Sequence, residues 1–162
     1  MTIGILSVQG AFIEHARALA GAGARTFEIR QLRDLDRPMD GLVLPGGEST
    51  VQGKLLKDLG LFEPLRARIE AGLPVTVRRN AYGRQLGSFT TTGTWNGLAD
   101  VPMTFIRAPA ITQVSPGVDV LSSFEGQPTS VRWRNILAFA WHPELTADRR
   151  AYAVFLDMCA RR

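Results

Sequence analysis

The chain has 162 residues, 45% of them hydrophobic, enough for one compact domain with a buried core. Its formal charge of +4 is carried almost entirely by arginines scattered from Arg17 to Arg162, neither gathered on one helix nor interleaved with aromatics, so a nucleic-acid surface is not expected. The single cysteine, Cys159, excludes an internal disulfide framework and a cysteine-rich metal site and fits a reducing cytoplasm. No apolar stretch approaches the ~18–20 residues of a membrane span, and Met1-Thr2-Ile3-Gly4-Ile5 lacks the basic start of a secretory leader.

In chain order, Thr2–Val8 ("TIGILSV") is a continuous apolar run that predicts a buried parallel strand. Phe12–Ala22 follows with helical spacing at Phe12, Ala16, Leu19 and Ala20, and "GAGA" at 21–24 ends it. Thr26–Ile29 is a second strand, Asp34–Met39 a connection, and Gly41–Leu44 a third strand stopped by Pro45-Gly46-Gly47. Thr50–Leu59 and Phe62–Ala71 read as helices split near Gly60. This alternation predicts an α/β fold of three layers, flavodoxin-like, with a mostly parallel sheet and helices on both faces.

The character changes after Leu73–Val77, a short strand that runs straight into Arg78-Arg79-Asn80. From Ser88 to Val131 the chain is rich in Thr, Val, Phe, Gly and Pro, with β-like runs at Met103–Ile106 and Val118–Leu121. Asn96-Gly97, Ser115-Pro116-Gly117 and Glu125-Gly126 are its turn signals. Ile136–Ala140 is a further strand, and the closing helix, Ala147–Arg161, sets Ala151, Val154, Phe155, Met158 and Cys159 on one stripe. Nothing marks a linker, so residues 1–162 are expected to form a single domain.

Two stretches could carry chemistry. "PGGEST" (45–50) lies between a strand and a helix, where glycines free backbone N–H groups and Ser49 or Thr50 can cap a helix whose N-terminus favours an anion. A plain strand-to-helix turn reads the same way. "WHPEL" (141–145) sets His142 and Glu144 two apart, on one side of an extended backbone, as the base and orienter of a nucleophile triad. A surface histidine followed by a helix-capping glutamate is the alternative. The nucleophile is missing: there is no G-x-S-x-G elbow, and Cys159 sits on the apolar stripe as a buried structural thiol.

"IGILSVQGAFIEH" (3–15), "GLVLPGGEST" (41–50), "RNAYGRQLGSF" (79–89), "FIRAP" (105–109) and "WHPELT" (141–146) occur in that order. Together they resemble the glutaminase subunits of pyridoxal 5′-phosphate synthase complexes, which are class I glutamine amidotransferases. The resemblance implies hydrolysis of glutamine to glutamate and ammonia by a Cys-His-Glu triad. Ammonia would pass to a separate synthase subunit in a cytoplasmic hetero-oligomer, with no cofactor or metal in this chain. By matching position, His142 would be the general base and Glu144 its orienter. Gly47, Glu48 and Ser49 would hold glutamine and offer backbone N–H groups to the oxyanion, and Arg79, Ile106 and Arg107 would contact glutamine. The family's nucleophile elbow and its helix, on the order of 30 residues, have no counterpart between Pro74 and Arg79. Two forms fit that break: a family glutaminase that has lost its nucleophile segment, or a non-catalytic module that docks on the synthase.

Overall fold

In the computed structural model, which describes residues 1–69, 73–78 and 88–161, the chain divides into two units. One comprises Met1–Gly72 and Arg149–Arg162, the other Leu73–Asp148.

The first unit is built around β1 (Thr2–Leu6), which pairs in parallel with β2 (Arg25–Ile29) and β3 (Gly41–Val43) in the order β2-β1-β3. Side chains alternate across a strand, so β1 feeds two cores. Ile3 and Ile5 pack with Ala18 and Leu19 of α1 (Phe12–Gly21) and with Tyr152 and Leu156 of α4 (Arg150–Ala160). Leu6 packs on the opposite face with Phe27, Ile29, Leu35, Leu61 and Leu65, beside α2 (Ser49–Asp58) and α3 (Phe62–Arg68). Helices therefore cover both faces of a parallel sheet, the three-layer α/β arrangement. Gly4 is required on the second face: a Cβ there would come within 2.8 Å of Ile29 Cδ1 and 2.9 Å of the Met39 sulfur.

Most of the expected stripe residues are buried or pack against the core shared by α1 and α4: Phe12, Ala16 and Leu19 of α1 and Ala151, Phe155 and Cys159 of α4. In α1 the buried positions are His15, Ala18 and Leu19, whereas Ala20 is exposed. In α4 they are Ala151, Tyr152 and Leu156. Two amphipathic side chains join them: the Tyr152 hydroxyl and His15 Nδ1 are hydrogen-bonded at 2.8 Å across the two helices. Cys159 is half-buried at the edge of this core, beside Gly41.

Among the described residues, the second unit holds seven strands, all paired antiparallel: β4 (Val75–Arg78) with β7 (Ala110–Val114), β5 (Ser88–Trp95) with β6 (Leu98–Ile106), and β9 (Gln127–Trp133) between β8 (Asp119–Phe124) and β10 (Ile136–Phe139). Asn96-Gly97 and Glu125-Gly126 each have positive φ at both residues, the twist that tight hairpins need. Among the described residues, parallel pairing is thus confined to the first unit. β4 does not extend a parallel sheet; Val75 faces Val114 and Arg78 faces Ala110 across an antiparallel ladder with a bulge after Thr76. Its backbone groups are satisfied on β7. Trp95, Phe139 and Trp141 cluster at 4.8–6.3 Å between ring centroids, and Phe89, Phe105 and Phe124 form a second aromatic group.

Candidate active site

In the first unit, the loop after β3 is laced to the loop after β1. Gln9 Oε1 accepts from the Glu48 N–H at 3.1 Å, while Gln52 Nε2 donates to the carbonyls of Gln9 and Pro45 at 3.0 and 3.1 Å. The Ala11 N–H reaches the Gly46 carbonyl at 3.4 Å. Gly47 lies against the Gln9 and Gln52 amides so closely that a Cβ would collide with both. Gly47, Glu48 and Ser49 are exposed on this frame.

The cap of α2 differs from the expectation. Neither Ser49 nor Thr50 caps it; Glu48 does, its carboxylate accepting from the Thr50 and Val51 N–H groups at 3.2 and 2.7 Å. A carboxylate at the positive end of a helix is favoured over a hydroxyl by charge. These two N–H groups are therefore engaged by Glu48. Gln9 and Gln52, which hold the loop, were not singled out from the sequence; only the neighbouring turn glycines hinted at them.

In the second unit, Pro143 starts a single 3-10 turn, Pro143–Leu145, with His142 as its extended N-cap. The expected extended backbone through Glu144 is replaced by this turn, because proline fixes φ near the helical value and is favoured at a first helical position. The pair still meets: His142 Nδ1 and Glu144 Oε1 are 2.6 Å apart. The Glu144 side chain is 1% exposed and that of His142 is 21% exposed. The His142 N–H donates to the Thr104 carbonyl of β6 at 2.7 Å, which ties the turn to that strand. Thr146 closes the turn through its hydroxyl to the Pro143 carbonyl, at 3.3 Å.

Two residues beyond Thr104, β6 ends at Ile106, which is 43% exposed, and the exposed Arg107 follows in the left-handed region at φ 44°. Among the candidates, His142, Glu144, Ile106 and Arg107 thus belong to one unit and Gly47, Glu48 and Ser49 to the other. Arg79 lies outside the described residues. Among those described, no group of three His, Cys, Asp or Glu side chains is placed to hold a metal ion.

Chemically, a buried carboxylate on Nδ1 fixes the imidazole tautomer: Nδ1–H donates to Glu144, and Nε2 keeps the lone pair of a base. Cys159, on α4 of the first unit, packs near Ile3 and Phe155 around Gly41.

The sequence pattern of the SNO glutamine amidotransferase family matches residues 5–75 and 69–161, two pieces that meet where the chain runs from helix α3 into β4. The chain is 46% identical to pyridoxal 5′-phosphate synthase subunit PdxT of Desulfitobacterium hafniense (strain Y51), covering 97% of this chain and 92% of that one. It is 47% identical to the subunit of the same name from Methanocorpusculum labreanum, covering 99% and 98%. With the Streptococcus pneumoniae (strain ATCC 700669 / Spain 23F-1) subunit it shares 41% identity over 192 aligned positions that take in all of both chains; this chain has 162 residues, so 30 positions have no counterpart in it. The fold is also that of a solved glutamine amidotransferase, at a TM-score of 0.90 and 33% identity over 98% of each chain. The chain belongs to the SNO glutamine amidotransferase family.

Proposed function

We propose that this chain is the glutaminase subunit of a pyridoxal 5′-phosphate synthase. Its reaction is hydrolysis of glutamine to glutamate and ammonia, with ammonia passed to the synthase subunit for vitamin B6 synthesis in the cytoplasm. The observation that carries this reading is the buried His142–Glu144 pair, in a chain aligned along its whole length with relatives named as subunits of that synthase. The two units together make one glutamine amidotransferase-like domain over residues 1–162, a reading supported by the coverage of those relatives.

The residues divide the work. His142 Nε2 is the base that takes a proton from the nucleophile and returns it to departing ammonia, and Glu144 holds the ring and stabilises the imidazolium. Gly47, Glu48 and Ser49 position glutamine and the oxyanion, with Arg79, Ile106 and Arg107 on the substrate. The nucleophile is what the 162-residue chain lacks, since its one cysteine is on α4. This form therefore holds the base side of the reaction without the attacking thiol.

A second reading has its own support in that absence: the chain occupies the synthase as a non-catalytic module. Glutamate release and size-exclusion with the synthase separate the two. Insertion, between Pro74 and Arg79, of the residues of the S. pneumoniae relative that have no counterpart here is expected to restore release of glutamate, and His142→Ala to abolish it again. A restored chain that folds, binds the synthase and releases no glutamate would leave only the docking module.

A further inference from the structure

Backbone hydrogen bonds hold the Pro143–Leu145 turn loosely. The Leu145 N–H reaches the His142 carbonyl at 3.3 Å and the Thr146 N–H reaches the Pro143 carbonyl at 3.5 Å. Such bonds have poorer geometry in a 3-10 turn than in an α-helix, and Pro143 has no N–H to add another. Yet this turn places the Glu144 carboxylate 2.6 Å from His142 Nδ1, sealed from solvent. Thr146, the half-buried C-cap of the turn, adds a side-chain clasp. Its hydroxyl donates to the Pro143 carbonyl at 3.3 Å and accepts from the Asp148 N–H at 3.3 Å. A carbonyl accepts and an amide N–H donates, so the direction of both bonds is fixed. The β-branched side chain is also stiff, and it suits the extended backbone of the cap, at φ −116° and ψ 164°.

We infer that Thr146 is a positioning residue of this site: its hydroxyl keeps Glu144 on the Nδ1 side of His142 and so leaves the lone pair on Nε2. The inference rests on the glutaminase reading of the His142–Glu144 pair. The route is short, because Glu144 lies inside the turn that the hydroxyl closes. The other end of the pair is fixed separately, by the His142 N–H on the Thr104 carbonyl at 2.7 Å. One end is thus tied to β6 and the other to Thr146. Loosening the turn lets the carboxylate retreat from Nδ1. A ring without that acceptor is free to carry its proton on Nε2, where it is a donor and no longer a base. Thr146 acts through Glu144 and not on the substrate. Valine keeps its shape and branching and removes both hydroxyl bonds, whereas serine keeps both bonds.

The test reads the tautomer of His142 in the 162-residue chain, and then turnover. The chain has two histidines, so ring-nitrogen NMR spectra of the parent and of His142→Ala assign the signals. The neutral ring should carry its proton on Nδ1 in the parent. Thr146→Val should shift the tautomer ratio toward Nε2–H by about three- to tenfold, the fold-change of one net hydrogen bond, and Thr146→Ser should keep the parent's ratio. Gly4→Ala, a packing loss in the first unit, should leave the ratio unchanged, which separates the hydroxyl's role from a general loss of stability. Thr146→Ala carries the same test where the valine variant does not fold. In the chain carrying the S. pneumoniae relative's residues between Pro74 and Arg79, Thr146→Val should lower kcat by about tenfold or more with KM unchanged. A ratio unmoved in the folded Thr146 variant, moved equally by Gly4→Ala, or moved equally by Thr146→Ser overturns the positioning role, as does a change in KM alone. A restored parent that releases no glutamate overturns the glutaminase reading instead, and the tautomer ratio then still decides what Thr146 does to the pair.

Discussion

Glu144 and His142 are two residues apart in sequence and 2.6 Å apart through Oε1 and Nδ1, with the carboxylate sealed from solvent and the imidazole partly open. The pairing comes from a proline-started 3-10 turn hung on the Thr104 carbonyl, so the ring is held from both its backbone and its side chain. Replacing Glu144 by Gln keeps the shape but removes the charge that stabilises an imidazolium. In the chain with its 30-residue segment restored, Glu144→Gln should lower kcat/KM for glutamine by about 10²–10⁴-fold. Steady-state glutamate release checks this, and an unchanged rate would remove Glu144 from the machinery.

His142→Ala leaves the buried Glu144 carboxylate without its imidazole partner. The 162-residue form should lose about 1–3 kcal/mol of stability, measured as a drop in the urea midpoint. A midpoint equal to the parent's would mean that the pair contributes nothing to the fold.

Glu48→Ala removes the cap from α2 and releases the Thr50 and Val51 N–H groups. A loss of about 0.5–2 kcal/mol is expected, whereas Ser49→Ala should cost less because Ser49 is not the cap. Urea unfolding of both variants decides whether the carboxylate or the hydroxyl holds the helix end.

How legible was this in the sequence? The first three strands and four helices were readable because buried runs such as "TIGIL" and stops such as Gly60 act locally. Turn pairs such as Asn96-Gly97 were readable for the same reason. The Glu48 cap was not, because Ser49 and Thr50 are ordinary caps and only the fold shows which side chain meets the free N–H groups. The burial of Tyr152 was likewise hidden, since its hydroxyl pairs with His15, 137 positions away. The antiparallel partner of β4 was out of reach too: Leu73–Val77 has the same apolar look whichever neighbour accepts its hydrogen bonds.

Asp34 gives a pH signature. The backbone N–H of Arg30, and then that of Gln31, donate to its carboxylate at 2.9 and 3.1 Å and hold its pKa below the ordinary 3.8. A depressed carboxylate stabilises the fold above its unfolded pKa, and that contribution is lost as pH falls through the lower folded value. The stability gap between the parent and Asp34→Asn should therefore be constant near neutrality and shrink only below about pH 3.8. Chemical denaturation across pH 2–7 reads it directly, and a gap that instead widens with acid would contradict the assignment.

Gly4→Ala should destabilise the first unit by about 1–3 kcal/mol, the cost of overpacking a filled core, because the new methyl meets Ile29 and Met39 from within β1. A thermal melt of the variant checks it; an unchanged melting temperature would show that this face has room.

The most direct test of the central claim measures glutamate released from glutamine with the synthase subunit present, for two chains side by side. One is the 162-residue chain and the other carries, between Pro74 and Arg79, the residues of the S. pneumoniae relative that have no counterpart here. No release from the first and sustained, His142-dependent release from the second is the predicted result. Release by the 162-residue chain itself, or none from a folded and synthase-bound restored chain, would contradict the account.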